Sequence, residues 1–282
     1  MSLNSIPVTQ IQHDVGVALG EDVRGGDLTA QLIPEHARAE AVVITREAAV
    51  LCGTPWFEAC FRRLDPSCDI RWLAQEGGLV TAGQALCEIT GNARAMLTAE
   101  RAALNFLQTL SATATLTHRY VAAVAGTRAR ILDTRKTLPG LRIAQKYAVR
   151  IGGGCNQRVG LFDGILIKEN HILAAGGIRA ALLQAQGLAP AAVTIQIEVE
   201  SLDELREALE AGAQLVLLDN FDLAGMRAAV ALTAGRAQLE ASGGVNLDTV
   251  RAIAETGVDR ISIGGLTKDV QAIDLSMRFK GE

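Results

Sequence analysis

Histidine, paired cysteines, surplus basic charge and long apolar runs are scarce or missing in this chain of 282 residues, and each absence removes a class of function. The five cysteines, Cys52, Cys60, Cys68, Cys87 and Cys155, are odd in number and contain no CxxC pair. A zinc site therefore lacks its ligand spacing and a disulfide framework its even count, so reduced thiols in a cytoplasmic protein are the economical reading. The four histidines, His13, His36, His118 and His171, are scattered, which leaves a histidine metal centre or a Ser-His-Asp triad without a foundation. A net charge of -4 and a pI near 5.7 deny the chain the broad basic surface that duplex nucleic acid requires. No run reaches the roughly 18 uninterrupted apolar residues of a membrane span. The opening Met1-Ser-Leu-Asn-Ser-Ile-Pro has no basic stretch followed by an apolar one, so export is not predicted either.

What is there is 49% hydrophobic content, enough for one large core or two smaller ones in a soluble globular protein. From Arg130 onward short apolar runs alternate with helical stretches: Ile131-Leu132, Ile165–Ile167, Thr194–Glu198, Leu215–Leu218, Ala237–Glu240 and Arg260–Ile263. Repeated strand-helix units imply a parallel sheet. Between them, Asp203–Gly212 and Asn246–Gly257 carry apolar residues at helical spacing, with Asn246 as an N-cap and Gly212 and Gly257 just past the helix ends. Six such units with hardly any hairpin signal favour a closed or nearly closed α/β barrel over an open doubly wound sheet, a choice that periodicity alone leaves open.

Residues 1–112 read as a separate α+β unit. Ala39–Thr45 and Leu79–Ile89 are strand-like, with glycine turns at Gly77-Gly78 and Gly91-Asn92. A long helix is predicted from about Thr98, which can cap its first turn, to Val124, with Leu104, Leu107, Leu110 and Ala114 as its apolar stripe. It reads as a bridge between two domains or as an interface helix.

In parallel α/β barrels the working groups sit where the strands end. Here those ends supply Arg135 and Lys136, Lys168 and Glu169, Glu198 and Glu200, Asp219 and Asn220, Ser242-Gly243-Gly244, and Gly264-Gly265. A single cation or carboxylate at a strand end is usually solvated or caps the next helix, but this many on one rim argue for a site. Glu200, just before Ser201-Leu-Asp-Glu, reads as the surface residue of its pair, and His171 as holding a helix start. The run Asp133–Arg142 stacks cations and backbone donors where an apolar strand gives out, as a site for an anion requires. Gly152-Gly153-Gly154 fits neither a Walker nor a Rossmann spacing, yet ahead of Asn156, Gln157 and Arg158 it lets backbone approach an anion closely. Ser242–Gly244 and Gly264-Gly265 match a barrel phosphate site, where free N–H groups face the ligand. Cations, carboxylates and a phosphate cradle suit a phosphorylated sugar whose leaving group is an anion and whose transition state is cationic, with Glu198 and Asp219 holding ribose hydroxyls or a hydrated Mg²⁺.

The ordered set Asp133-Thr-Arg-Lys-Thr137, Pro139–Arg142, Gly152–Gly154 with Asn156 and Arg158, Leu166–His171, Glu198-Val-Glu-Ser-Leu, Leu217–Phe221, Ser242–Gly244, Ile263–Thr267 and Leu275–Phe279 resembles the quinolinate phosphoribosyltransferase family along nearly the whole chain. The resemblance implies a type II phosphoribosyltransferase. Its expected fold is an N-terminal α/β sandwich over 1–112 and an incomplete, seven-stranded-type parallel α/β barrel over 113–267, with the C-terminal segment 268–282 packing on the first domain. Since only six strands are read above, one element is expected to be missed or irregular. It also implies a head-to-tail homodimer in which Arg101 reaches the neighbour's site, placing a cation on the predicted interface helix.

The implied reaction joins quinolinate to 5-phosphoribosyl 1-diphosphate, giving nicotinate mononucleotide, diphosphate and CO₂ in NAD biosynthesis, with Mg²⁺ accompanying the diphosphate and no organic cofactor. Arg101, Arg135 and Arg158 suit the two carboxylates of quinolinate. Lys136 and Lys168 suit the diphosphate, with Thr134 beside them; Glu198 and Asp219 face the ribose; Ser242, Gly243, Gly244, Ile263, Gly264 and Gly265 form the phosphate cradle. The family usually has His before the arginine. Gln157 stands there in this chain, still a hydrogen-bond donor but unable to carry charge. Two rival readings remain for test: a related transferase using nicotinate, and a diverged paralogue tied to molybdate transport. A biotinyl or lipoyl carrier, suggested by the turns of Gly77–Gly91, fails because the first lysine in the chain is Lys136.

Overall fold

The computed structural model describes residues 6–190 and 192–280. The expected segments 1–112 and 268–282 extend at their outer ends into residues 1–5 and 281–282, which lie outside the described residues. In chain order the strands are β1 (Arg38–Thr45), β2 (Ala49–Val50), β3 (Asp69–Trp72), β4 (Leu79–Val80), β5 (Ala85–Asn92), β6 (Arg130–Leu132), β7 (Gly164–Ile167), β8 (Thr194–Val199), β9 (Leu215–Asp219), β10 (Gln238–Ser242), β11 (Arg260–Ser262) and β12 (Leu275–Phe279). The helices are α1 (Val8–Asp22), α2 (Thr54–Leu64), α3 (Ala93–Ala123), α4 (Arg142–Ile151), α5 (Glu169–Ala175), α6 (Ile178–Leu188), α7 (Leu202–Glu210), α8 (Leu223–Thr233), α9 (Val250–Ala254) and α10 (Gly265–Lys268). Contacts divide the chain into two compact units. Among the described residues one holds 6–116, then Leu138–Gly152 and 269–280; the other holds Thr117–Thr137, 153–190 and 192–268. Residues 138–152, which a boundary at 112/113 assigns to the barrel, cluster with the first unit.

In the first unit an antiparallel sheet runs β12-β1-β5-β3, so the C-terminal strand completes the N-terminal sheet. Its core gathers Trp56, Phe57 and Phe61 of α2 against Leu86 and Ile89 of β5 and Leu104, Leu107, Leu110 and Ala114 of α3, the predicted stripe. Phe57 lies 4.9 Å from Phe61 and 5.4 Å from Trp72, centroid to centroid, tilted arrangements that add about 0.5–1.5 kcal/mol per pair beyond area burial. Trp56 Nε1 donates to the buried Asp14 carboxylate at 2.9 Å. Three local expectations change. Leu79–Ile89 is two strands, because the chain turns at Gly83 with φ +83°. Gly91-Asn92 is no turn but the end of β5, where a Cβ on residue 91 would stand 3.0 Å from Asp65 Oδ2. The long helix starts at Ala93, with Asn92 Oδ1 accepting the Ala95 N–H at 3.0 Å, while Thr98 Oγ1 donates back to the Arg94 carbonyl inside it.

In the second unit all six named strands are parallel, ordered β6-β11-β10-β9-β8-β7. The first strand lies beside the last, so the units wind in one sense around a curled sheet; a doubly wound sheet reverses direction and places its first strand inside. The irregular seventh element is Cys155. It forms a single parallel bridge to Leu132, donating to the Ile131 carbonyl at 2.8 Å and accepting from the Asp133 N–H at 3.2 Å. No ladder pairs this element with β7 among the described residues, which makes the barrel incomplete. Helix α7 ends as its sequence predicts: Gly212 takes φ +85°, its N–H meets the Leu209 carbonyl, and the Ala213 N–H meets that of Ala208. Helix α9 is shorter than the pattern suggests. Asn246 Oδ1 caps the N–H groups of Asp248 and Thr249 in a turn ahead of the helix, and Gly257 follows the helix at φ +95°.

Candidate active site

Because side chains alternate along a strand, one face of the parallel sheet carries Leu166 on β7, Gln196 and Glu198 on β8, Leu217 and Asp219 on β9, Glu240 and Ser242 on β10, and Ser262 on β11. The opposite phase, Ile197 and Val199, Val216 and Leu218, Leu239 and Ala241, and Ile261, is buried and apolar. The first set, apart from Gln196, joins Thr134, Arg135, Lys136, Gln157, Arg158 and Lys168 around one cavity of about 510 Å³. Of the predicted strand-end residues, Arg135, Lys136, Lys168, Glu198, Asp219 and Ser242 are thus brought to one cavity, whereas Glu169, Glu200 and Asn220 do not line it.

The cavity is electrostatically divided. On its cationic side Arg135 is exposed and Arg158 half-buried, its guanidinium donating to the Gly164 carbonyl at 2.9 Å. Burial first, and then the neighbouring charge of Arg135, pull the Arg158 guanidinium below its usual range, with Asp163 opposing. Two guanidiniums held close enough to disfavour one another's charge are relieved by an anion. Thr134 Oγ1 accepts the Lys136 N–H at 3.0 Å, and the Lys136 carbonyl accepts from Thr267 at 2.8 Å. On the acidic side Lys168 Nζ reaches Glu198 Oε2 at 2.9 Å, and Asn220 Nδ2 donates to Asp219 Oδ2 at 3.1 Å. Glu200, exposed as expected, has its carboxyl raised chiefly by Glu169, then by burial, Glu204, Asp219 and Glu198.

Glycines follow β10 and β11 in the chain, just past the cavity-lining Ser242 and Ser262, and do not themselves line the cavity. Gly243 takes φ +101°, and a Cβ there would stand 2.8 Å from Asn220 Oδ1; a Cβ on Gly264 would stand 3.0 Å from Lys136 Cδ. Gly244 is left-handed at φ +60° and Gly265 opens α10. Ile263 is a core residue whose N–H is committed to the Leu132 carbonyl at 2.9 Å, so it places Gly264 rather than offering a donor. His171 Nδ1 accepts the Lys168 N–H at 3.1 Å, the predicted helix-start role. Arg101 lies outside this cavity. It is exposed in the third turn of α3, not the first, and lines another cavity of about 350 Å³ with His13, Asp14, Glu21 and Asp22.

At the base of the site Glu240, Gln196 and Arg260 have no role in the sequence reading, and Asp133 enters it only as the first residue of the cationic run. Asp133 is fully buried; its carboxylate accepts from Asn156 Nδ2 at 2.6 Å and from the Gln157 N–H at 2.8 Å. Glu240, also fully buried, is held by Gln157, Gln196 and Arg260. The signal available was phase: a polar residue two places before Ser242, inside a strand otherwise buried, faces the same cavity. Gln157 Nε2 points to Gln196 Oε1 at 2.7 Å and to Glu240, so its donors serve the floor.

Among the described residues no group of three or more His, Cys, Asp or Glu side chains could hold a metal ion, and no helix is long and apolar enough to cross a membrane. Cys52, Cys60, Cys68 and Cys87 are buried free thiols and Cys155 is a partly exposed one.

Known proteins resemble this chain over almost its full length. The profile of the quinolinate phosphoribosyl transferase N-terminal domain matches residues 27–111 and that of the C-terminal domain residues 113–278. The chain is 40% identical over 257 residues, 91% of its length and 89% of the relative's, to the probable nicotinate-nucleotide pyrophosphorylase [carboxylating] of Bacillus subtilis. It is 40% identical over 296 residues, 98% of its length and 84% of the relative's, to the mitochondrial quinolinate phosphoribosyltransferase [decarboxylating] 2 of Nicotiana glauca. The solved nicotinate-nucleotide pyrophosphorylase of Francisella tularensis superposes with a TM-score of 0.96 at 45% identity, covering 99% of each chain. With both domain profiles matched in order and relatives of this identity along almost its full length, the chain belongs to the quinolinate phosphoribosyltransferase family.

Proposed function

We propose that this chain is the decarboxylating quinolinate phosphoribosyltransferase of de novo NAD biosynthesis, transferring the phosphoribosyl group of 5-phosphoribosyl 1-diphosphate to quinolinate. The observation that carries the chemistry is the division of one cavity into a cationic side with Arg135, Lys136 and Arg158 and an acidic side with Glu198 and Asp219. In this reading Arg135 and Arg158 pair with the pyridine carboxylates, for which planar guanidinium forks are suited. Lys136 and Lys168 meet the diphosphate, with Thr134 holding the Lys136 backbone. The N–H groups of Gly243, Gly244, Gly264 and Gly265, with Ser242, take the 5-phosphate. Gln157 spends its amide hydrogens on the floor, so carboxylate recognition rests on the arginines.

As the pyridine nitrogen attacks the anomeric carbon, the bond to diphosphate breaks and its electron pair leaves with the diphosphate. Positive charge grows on the ribose between Glu198 and Asp219, where fixed carboxylates stabilise it most in the transition state. The quaternised nitrogen then stabilises the electron pair left on the ring carbon when the adjacent carboxylate departs as CO₂, and a proton from water completes nicotinate mononucleotide. Two carboxylates without a third fit Mg²⁺ carried by the diphosphate, which Glu198 and Asp219 would reach through water. When bound, the ion neutralises charge on the departing diphosphate.

The reading extends to a homodimer in which Arg101 of one protomer serves the other's site, and to a cytoplasmic location, consistent with five free thiols. The test is incubation with 5-phosphoribosyl 1-diphosphate, Mg²⁺ and either quinolinate or nicotinate, following nicotinate mononucleotide and CO₂. Equimolar nucleotide and CO₂ from quinolinate supports the proposal. Turnover of nicotinate alone, or of neither acid, refutes it.

A further inference from the structure

The floor of the cavity holds a charge for which the reaction above finds no use. Glu240 has no exposed surface, and a buried carboxylate is costly unless it is paired and hydrogen-bonded. Three side chains converge on it. Arg260 Nε and Gln196 Nε2 each stand 3.1 Å from Oε2, and Gln157 Nε2 stands 3.1 and 3.2 Å from its two oxygens. Gln157 Nε2 also donates to Gln196 Oε1 at 2.7 Å, while Gln157 Oε1 accepts the Arg158 N–H at 2.9 Å. These partners dictate which way the amide lies. Turned round, it would set its oxygen against a carboxylate and its NH₂ against an N–H, losing bonds at both ends.

We propose that Glu240 is a positioning residue for the acid substrate. Acting through Gln157, it orients the amide that seats the Arg158 backbone, and so sets where the Arg158 guanidinium meets the substrate carboxylate, while Arg260 keeps the floor neutral. A carboxylate serves better than an amide because its two oxygens accept charge-assisted bonds from Gln157 and Gln196 while its charge is offset by the Arg260 guanidinium beside it. The inference rests on the assignment of Arg158 to carboxylate binding.

The test is a double-substitution cycle. Glu240→Gln should raise KM for quinolinate about tenfold while kcat and KM for 5-phosphoribosyl 1-diphosphate stay within about twofold. Gln157→Ala should do the same, and the double variant should be no worse than the larger single effect, because one substitution already breaks the chain through which the other acts. An unchanged KM for quinolinate in Glu240→Gln, or multiplicative effects in the double variant, would overturn the proposal. If Glu240→Gln does not fold, Glu240→Asp carries the same cycle with the charge kept and the carboxylate drawn back by one methylene. A second readout is independent of turnover. The side-chain ¹⁵N–¹H₂ resonance of Gln157, assigned by its loss in Gln157→Ala, should shift and exchange faster with water in the Glu240 variant, and an unaltered resonance would also overturn the proposal. Failure of the wild type to use quinolinate sinks the reaction assignment, whereas the resonance still decides the role of Glu240.

Discussion

Gly243→Ala adds one methyl group at a place where the structure specifies the consequence. The backbone there has φ +101°, and the new Cβ would stand 2.8 Å from Asn220 Oδ1, closer than side chains pack. An L-residue held in such a region costs about 1–3 kcal/mol. Both residues are exposed, so the protein relieves the contact by moving the Asn220 amide rather than by unfolding. That amide donates to Asp219 Oδ2 at 3.1 Å, and the strain therefore reaches the carboxylate assigned to the cationic ribose. Loss of about 1.4–2.7 kcal/mol of transition-state stabilisation lowers kcat about 10- to 100-fold, since each 1.36 kcal/mol is tenfold. Steady-state kinetics with both substrates, beside a urea melt to confirm a folded protein, measures this. Asn220→Ala removes the colliding atom, so Gly243→Ala in that background should cost less than in the wild type. Activity within about twofold of wild type for Gly243→Ala, or a larger loss in the Asn220→Ala background, would refute the reasoning.

Glu198→Gln and Asp219→Asn should each lower kcat about 100-fold with smaller changes in KM, because their charges act as the ribose becomes cationic; an effect confined to KM contradicts that role. Arg101→Ala and Arg135→Ala chains, each inactive alone, should on mixing recover toward about a quarter of wild-type activity, half of the dimers being mixed with one intact site of two. Mixed dimers that form without activity would eliminate the shared site. The Asp65 carboxyl is lowered by the Asn92 N–H and by Ser67, outweighing burial. Its stabilising effect is complete above the unfolded carboxyl value, about 3.9, and fades as pH falls through the lower folded value. The difference in urea midpoint between wild type and Asp65→Asn should therefore be larger at pH 7 than at pH 3, and a gap that widens on acidification would contradict the assignment.

Much of the site was legible because the pleat has a period of two and strand ends are short. Lys168, Glu198, Asp219 and Ser242 each follow an apolar run in the sequence, and all line one cavity. Glu240 is not legible, because a polar residue inside a strand looks like a solvated one until its neighbours are known. Cys155 was invisible as a strand, since one bridging residue has no period. Thr98 looked like a cap because the pattern of a helix does not mark its first turn, which Asn92 closes through a contact three residues ahead.

The sequence by itself determined the alternation of strands and helices, the cations and carboxylates at the strand ends, and the family, because these depend on local spacing and residue type. Only the tertiary structure decided that β6 lies beside β11, that β12 returns to β1, and that Gln157 turns its NH₂ to Glu240. Each of these depends on which residues, distant in the chain, meet in space. Glu240 lies 83 positions from Gln157, and no local pattern carries the hydrogen bond that orients the amide between them.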